Sequence, residues 1–316
     1  MDNNQTTVTD FILLGFLVSP KMHLVLFGLF FLLYTFTLLG NGVILMLICL
    51  DSLLHTPMYF FLSQLAIVDI SYASTTVPQI LTNLLNPAKP ISFAGCITQT
   101  NFFLIFAHTE CLLLVMMSYD RYVAICHPLR YTLIMRWGVC IALAIISWAC
   151  GSFLALVHVI LILRLPFCGP REINHFFCEL LSVLKLACAD LWLNKMVIFI
   201  ACVLIVVGPF CLVLISYTHI LGAILKIQSG EGRKKAFSTC SSHLCVVGLF
   251  FGSAIITYMA PNSRNSGEQQ KILFLFYSFF NPALNPLIYS LRNAEIKGGL
   301  RRLKAKQHSH HQGADI

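Results

Sequence analysis

The sequence predicts an all-α membrane protein: a seven-transmembrane helix bundle with a short amphipathic inner-leaflet helix. Three observations predict it. The 316-residue chain is 58% hydrophobic and only 11% charged, with mean hydropathy +0.80, whereas a soluble domain carries roughly 25% charged residues. Seven apolar runs are long enough to cross about 30 Å of hydrocarbon. The Lys and Arg residues fall mainly at one set of run ends.

The first element is a polar Asn/Thr/Asp tail, 1–23, expected to lie outside and to be disordered. It holds the sequon Asn4-Gln5-Thr6, a glycosylation acceptor on the same side. The spans are placed at 24–50, 57–85, 96–126, 137–163, 195–227, 236–260 and 271–291, giving one seven-span domain over 24–291. No cleavable signal precedes the first run, which is expected to act as its own insertion signal. With the amino terminus outside, thirteen Lys and Arg lie at inner ends and eight at outer ends, the sense of the positive-inside rule. The net charge of +8 therefore records orientation, and nothing supports nucleic acid as a partner.

The inner loops are short, near 51–56, 127–136 and 228–235. The outer loop 164–194 is the one large insertion, and its Cys, Pro and charged residues read as a lid. Cys168, Cys178 and Cys188 in that loop and Cys96 at the outer start of the third span lie on the oxidising side. Four cysteines allow three pairings. Cys96–Cys178 with Cys168–Cys188 is favoured, since the first bridge would pin the lid across the bundle mouth. The inner helix and tail are placed at 292–316; over the run from Ser290 to Lys306, Leu291, Ile296, Leu300 and Leu303 alternate with Arg292, Lys297, Arg301, Arg302 and Lys304. That pattern suits a helix lying on the lipid of the inner leaflet, followed by a disordered tail with His308, His310 and His311.

Several polar residues sit where hydrocarbon makes them costly. Asp120 and Arg121 adjoin at the inner end of the third span, an acid–arginine pair expected to join each other or a neighbouring helix and able to switch with helix motion. Asp69 and Glu110 lie deep in the second and third spans, with Asn41 and Asn285 as candidate partners. Two carboxylates there could hold a sodium ion, a hard cation that takes oxygen ligands. Protonated acids bonded to the asparagines are the other reading, and both stay open. Pro209 and Pro286 remove backbone donors from the fifth and seventh spans and supply bends, the second carrying Tyr289 towards the inner face.

From Cys96 to Arg121 the third span is about 37 Å long, with His108 about 18 Å below its outer end. Phe103, Leu104, Ala107, His108 and Cys111 share one stripe at helical spacing, and Phe251, Ala254, Ile255 and Tyr258 form another on the sixth span. Facing each other beneath the lid, the stripes would enclose a mostly apolar pocket. His108 with Cys111 is a weak soft-metal candidate, lacking clear partners. No phosphate loop, zinc motif or nucleophile elbow appears, so an enzymatic reading has no footing. No lysine lies from Ile272 to Ile296 to offer a seventh-span Schiff base, and no acid in the outer half of the third span offers a counter-ion for an amine.

At this point the chain resembles the odorant (olfactory) receptors, a branch of the rhodopsin-like G-protein-coupled receptors. The matching stretches are Leu54–Ser63 (LHTPMYFFLS), Met117–Tyr131 (MSYDRYVAICHPLRY), Lys235–Leu244 (KAFSTCSSHL) and Pro282–Asn293 (PALNPLIYSLRN), with Gly40-Asn41 and the three loop cysteines. The departures are small. Ser118 stands where Ala is usual, Ala66 where Ser is common, and Phe251 where Tyr is frequent, removing a hydroxyl expected in the pocket floor.

The resemblance implies binding of a small volatile odorant outside and activation of a heterotrimeric stimulatory (olfactory-type) G protein inside. Asp120, Arg121 and Tyr122 would carry the switch, with Tyr217, His243 and Tyr289 as inner-face partners. The loop from His127 and Pro128, and the basic Lys234 and Lys235, would face the G protein. It also supports Cys96–Cys178, the second loop bridge and an ion near Asp69 and Glu110. Cys202 and Ile205 on the fifth span join His108, Tyr258 and their neighbours as implied ligand contacts. A transporter or ion-conducting bundle using Asp69 and Glu110 is the different-class alternative, disfavoured because no inverted repeat is visible. A non-olfactory chemosensor with the same machinery is the nearer one.

Overall fold

A computed structural model describes residues 9–86, 90–259, 267–292 and 295–303. Asn4 with its sequon, and the tail bearing His308, His310 and His311, lie outside the described residues. Among the described residues seven helices are long and apolar enough to cross a membrane: Pro20–Leu50, Pro57–Leu85, Phe93–Cys126, Trp137–Leu163, Trp192–Leu225, Gly230–Met259 and Lys271–Tyr289. The third is the hub of the bundle, packing on the second, fourth and fifth. Its buried face runs from Cys96 through Leu104, Glu110 and Met117 to Asp120.

Several boundaries differ from the sequence expectation, each for a local reason. The first span starts at Pro20 rather than 24, because proline at the first helical position needs no amide partner. The third starts at Phe93, where the Ser92 hydroxyl caps the Gly95 amide at 3.1 Å. The sixth starts at Gly230, so the expected inner loop 228–235 is mostly helix, and Arg233, Lys234 and Lys235 ride on its first turns.

Proline acts where expected and elsewhere too. Val203–Val207, just before Pro209, is a π-helical turn closed by the Gly208 amide on the Val203 carbonyl. A second π turn, Phe276–Phe280, precedes the seventh-span helix from Asn281. Pro78 also lies inside the second span, a proline not singled out from the sequence. At Gly151 the third and fourth spans touch: a Cβ there would stand 2.5 Å from Thr109 Oγ1.

The expected disorder of the outer tail is corrected over its described part. Asp10–Leu13 forms strand β1, antiparallel to β2 (Pro90–Ser92) and parallel to β3 (Glu172–Ile173) in the lid loop. Apolar Phe11 and Leu13 are buried, and burying them offsets the entropy of ordering the segment. Gly15 then turns the chain with φ +61°, a left-handed conformation that favours glycine.

In the lid, Cys178 is bonded to Cys96 and Cys168 to Cys188, with Cα separations of 5.4 and 5.8 Å. Thr100 and Gln99 add hydrogen bonds from the third span to the Cys178 carbonyl and amide. Glu179 caps the short helix Leu180–Leu184, its carboxylate accepting from the amides of Leu181 and Ser182. On the inner side a helix runs over 295–303. Ile296 is buried and Leu303 packs on the core, while Arg302 grips Asp51 at 2.6 and 3.0 Å.

Candidate functional site: an outer pocket and an inner-face cluster

Beneath the lid a small cavity opens among the third to sixth spans. Leu104, Ala107, His108 and Cys111 line it from the third, one stripe at helical spacing. Ala201, Cys202 and Ile205 face them from the fifth, and Ala254 and Tyr258 from the sixth. Leu180 roofs it from the lid helix, placed there by the Cys178 bridge two residues earlier.

Three residues expected in this pocket are absent from its lining. Phe103 turns away to meet Tyr72, Phe177 and Phe274 at 4.7–5.3 Å. Phe103 stands at the far edge of the stripe, about 100° round the helix from Leu104, and faces these rings instead of the cavity. Phe251 packs on Phe210 and Phe250, so it is core and contributes nothing to a pocket floor. Ile255 is half-buried against the core.

His158 in the fourth span was missed. Its ring lies 5.9 Å from that of His108, and both line the cavity. A single histidine within an apolar run was the available signal. His108 Nδ1 has no hydrogen-bond partner. Among the described residues, no three His, Cys, Asp or Glu side chains are gathered to hold a metal ion.

Midway down the bundle Asn285 Nδ2 donates to Asp69 Oδ2 at 2.9 Å. Asn41 does not join the acids; it donates to the carbonyls of Thr37 and Pro282, tying the first span to the seventh. Asp69 Oδ1 and Glu110 Oε1 are buried without a hydrogen-bond partner.

At the inner end, the first of the two arrangements expected for Arg121, pairing with Asp120, is not the one adopted. Asp120 Oδ1 instead accepts the Tyr131 hydroxyl at 2.7 Å, because adjacent helical residues point about 100° apart. Arg121 Nε has no hydrogen-bond partner, and the guanidinium lies within electrostatic reach of Tyr217, His243 and Tyr289. Tyr217 meets His243 Nδ1 at 2.5 Å, and the buried Tyr289 hydroxyl is unpartnered.

Tyr122 contacts His127 Nε2 at 3.3 Å, and Pro128 opens the turn Pro128–Arg130. Lys235 approaches Glu295 at 3.8 Å, and Lys234 is exposed.

Seven spans, a lid bolted to the third, an apolar cavity outside and a polar arginine cluster inside define a membrane receptor of the seven-helix type. A sequence model of the family described as Olfactory receptor matches residues 30–307. The chain is 74% identical to human Olfactory receptor 2A1/2A42 over 97% of its own length and 99% of the relative's. It is 73% identical to human Olfactory receptor 2A5, covering 98% and 100%, and 63% identical to mouse Olfactory receptor 2A7, covering 97% and 99%. The chain belongs to the olfactory receptor family. It is an odorant receptor and a multi-pass protein of the plasma membrane.

Proposed function

We propose that this receptor takes small, mostly apolar volatile molecules into the cavity at His108 and Tyr258, and that an olfactory-type stimulatory G protein reads the occupancy as a rise in cyclic AMP. The observation that carries the reading is the convergence of four spans and the lid on one apolar cavity with an unmet nitrogen on His108. Its void is about 40 Å³, room for a few water molecules at most. A volatile must therefore displace its walls, and binding is thereby linked to motion of the sixth span or the lid. Burying about 250 Å² of apolar ligand would contribute roughly 6 kcal/mol, a Kd of order tens of micromolar.

Inside, the loop between the third and fourth spans presents Leu129, which is 99% exposed. In this reading that loop and the exposed Lys234 and Lys235 of the sixth span face the G protein. Asp120, Arg121 and Tyr122, with Tyr217, His243 and Tyr289, form the switch in this reading. The unpartnered oxygens of Asp69 and Glu110 fit a sodium ion. Such an ion would offset one of the two negative charges, leaving the other acid to be held by a proton. The helix over 295–303 rests on inner-leaflet lipid.

The test is a cyclic-AMP response to a panel of volatiles in cells that express the receptor with a stimulatory G protein. A concentration-dependent rise shifted by His108→Leu and Tyr258→Phe, at equal surface expression, supports the reading. A response that neither variant moves would overturn the pocket assignment.

A further inference from the structure

A second and larger cavity, about 390 Å³, lies at the outer ends of the first two spans and shares no lining residue with the His108 pocket. One wall is the chain segment 13–18; Ile80, Asn83 and Leu84 of the second span and Phe176 of the lid form others.

This wall is built rather than draped. The Leu14 amide donates to the Ile173 carbonyl at 3.0 Å and the Gly15 amide to the His175 carbonyl at 3.1 Å. Lys271 Nζ donates to the Gly15 carbonyl at 2.9 Å, and Lys271 is buried. Phe16 stacks on Phe176 with centroids 5.2 Å apart. A site so pinned needs little reordering to accept a ligand.

Its chemistry is specific. The lining is apolar apart from Asn83, His23 and backbone. His23 Nε2 already meets the Phe16 carbonyl at 3.1 Å. Asn83 Oδ1 accepts from Gln79 Nε2 at 3.2 Å, which leaves the Asn83 Nδ2 donor without a partner among the described residues, on a residue only 9% exposed. A buried donor left unmet is costly. An accepting oxygen on a ligand would satisfy it, whereas a pure hydrocarbon or an ammonium would not.

We propose that this cavity is a second ligand site, which binds a small neutral, mostly apolar molecule through one hydrogen-bond-accepting oxygen, such as that of an aliphatic ketone, held by Asn83 Nδ2. The site lies outside the pocket assigned to the odorant, and its occupancy is independent of His108. A run of rings leads from its wall towards the third span: Phe176 to Phe177 at 5.6 Å and Phe177 to Phe103 at 4.9 Å.

The experiment uses full-length receptor in phosphatidylcholine nanodiscs and a ten-carbon aliphatic ketone carrying a diazirine, with labelled positions mapped by mass spectrometry. The expected result is saturable labelling within 13–18 or 80–84, competed by the unlabelled ketone and not by decane. Asn83→Leu should weaken it about tenfold, the loss of one hydrogen bond to a buried donor, and His108→Leu should leave it unchanged. Ile80→Trp fills the cavity while keeping Asn83, and should abolish labelling in receptor that remains folded. Labelling that never saturates, or that decane competes equally, would mean lipid partition and overturn the site. So would labelling that follows His108 and ignores both Asn83→Leu and Ile80→Trp, or no labelling of these segments.

Discussion

The hydroxyl of Tyr131 donates to the carboxylate of Asp120 at 2.7 Å, so the inner loop, and not the neighbouring guanidinium, holds the acid at the end of the third span. Burial and the Asp120 carboxylate together push the Tyr131 phenol above its usual range, so it remains a donor at any physiological pH. Tyr131→Phe should cost roughly 1–3 kcal/mol, the penalty for leaving a buried acceptor unmet. A thermal-shift assay on purified receptor measures it. Asp120→Asn keeps an accepting oxygen and should lose less than Asp120→Ala.

Arg121 makes no ion pair within 4 Å among the described residues, so its removal deletes no bond of this conformation. Arg121→Ala should abolish agonist-driven cyclic AMP while surface expression stays near that of the parent. A normal agonist response from that variant would defeat the switch.

The bridge Cys96–Cys178 spans 82 residues and Cys168–Cys188 spans 20. Chain entropy assigns about 4.5 kcal/mol to the first and about 3 to the second. Only the first ties the lid to a span. Cys178→Ser should therefore lower folded receptor at the cell surface more than Cys188→Ser, as flow cytometry would read.

At Gly151 an added Cβ would stand 2.5 Å from Thr109 Oγ1 and 3.1 Å from the Ile105 carbonyl. Gly151→Val should force the third and fourth spans apart and sharply reduce surface receptor. Gly138→Ala on the same helix meets nothing within 4 Å and should be silent.

His175 in the lid loop is held neutral. Burial, then the positive charges of Lys271 and Lys185, push its pKa down to about 3. The unfolded chain takes up a proton near 6.5, so between those values the unfolded state binds more protons. Stability is fully present above about pH 6.5 and falls as the pH drops towards 3. Melting temperatures between pH 7.5 and 5 should decline in the parent and decline less in His175→Asn.

Much of this was legible in one dimension because hydrocarbon imposes few solutions. The seven spans followed from apolar length alone. So did the placing of Leu104, Ala107, His108 and Cys111 on one stripe, since helical periodicity fixes which residues share a face. The same periodicity left three errors, at Phe103, Phe251 and Ile255. A stripe about 100° wide does not say which edge meets a cavity and which meets a neighbouring helix. His158 escaped because nothing local distinguishes a histidine facing a pocket from one satisfied in a core.

The sequence by itself determined the class: composition gave a membrane bundle, charge asymmetry its orientation, and four contiguous motifs its family. Only the tertiary structure decided who holds whom. It gave Asp120 to Tyr131 rather than to Arg121, Asn41 to the Pro282 carbonyl rather than to the acids, and the outer tail to a sheet with the lid. The reason is physical. Spans and motifs depend on residues adjacent in the chain, whereas a hydrogen bond depends on direction to within a fraction of an ångström. That direction is fixed by helix rotation, by π turns before prolines and by close approaches such as Gly151, which are properties of the packed bundle.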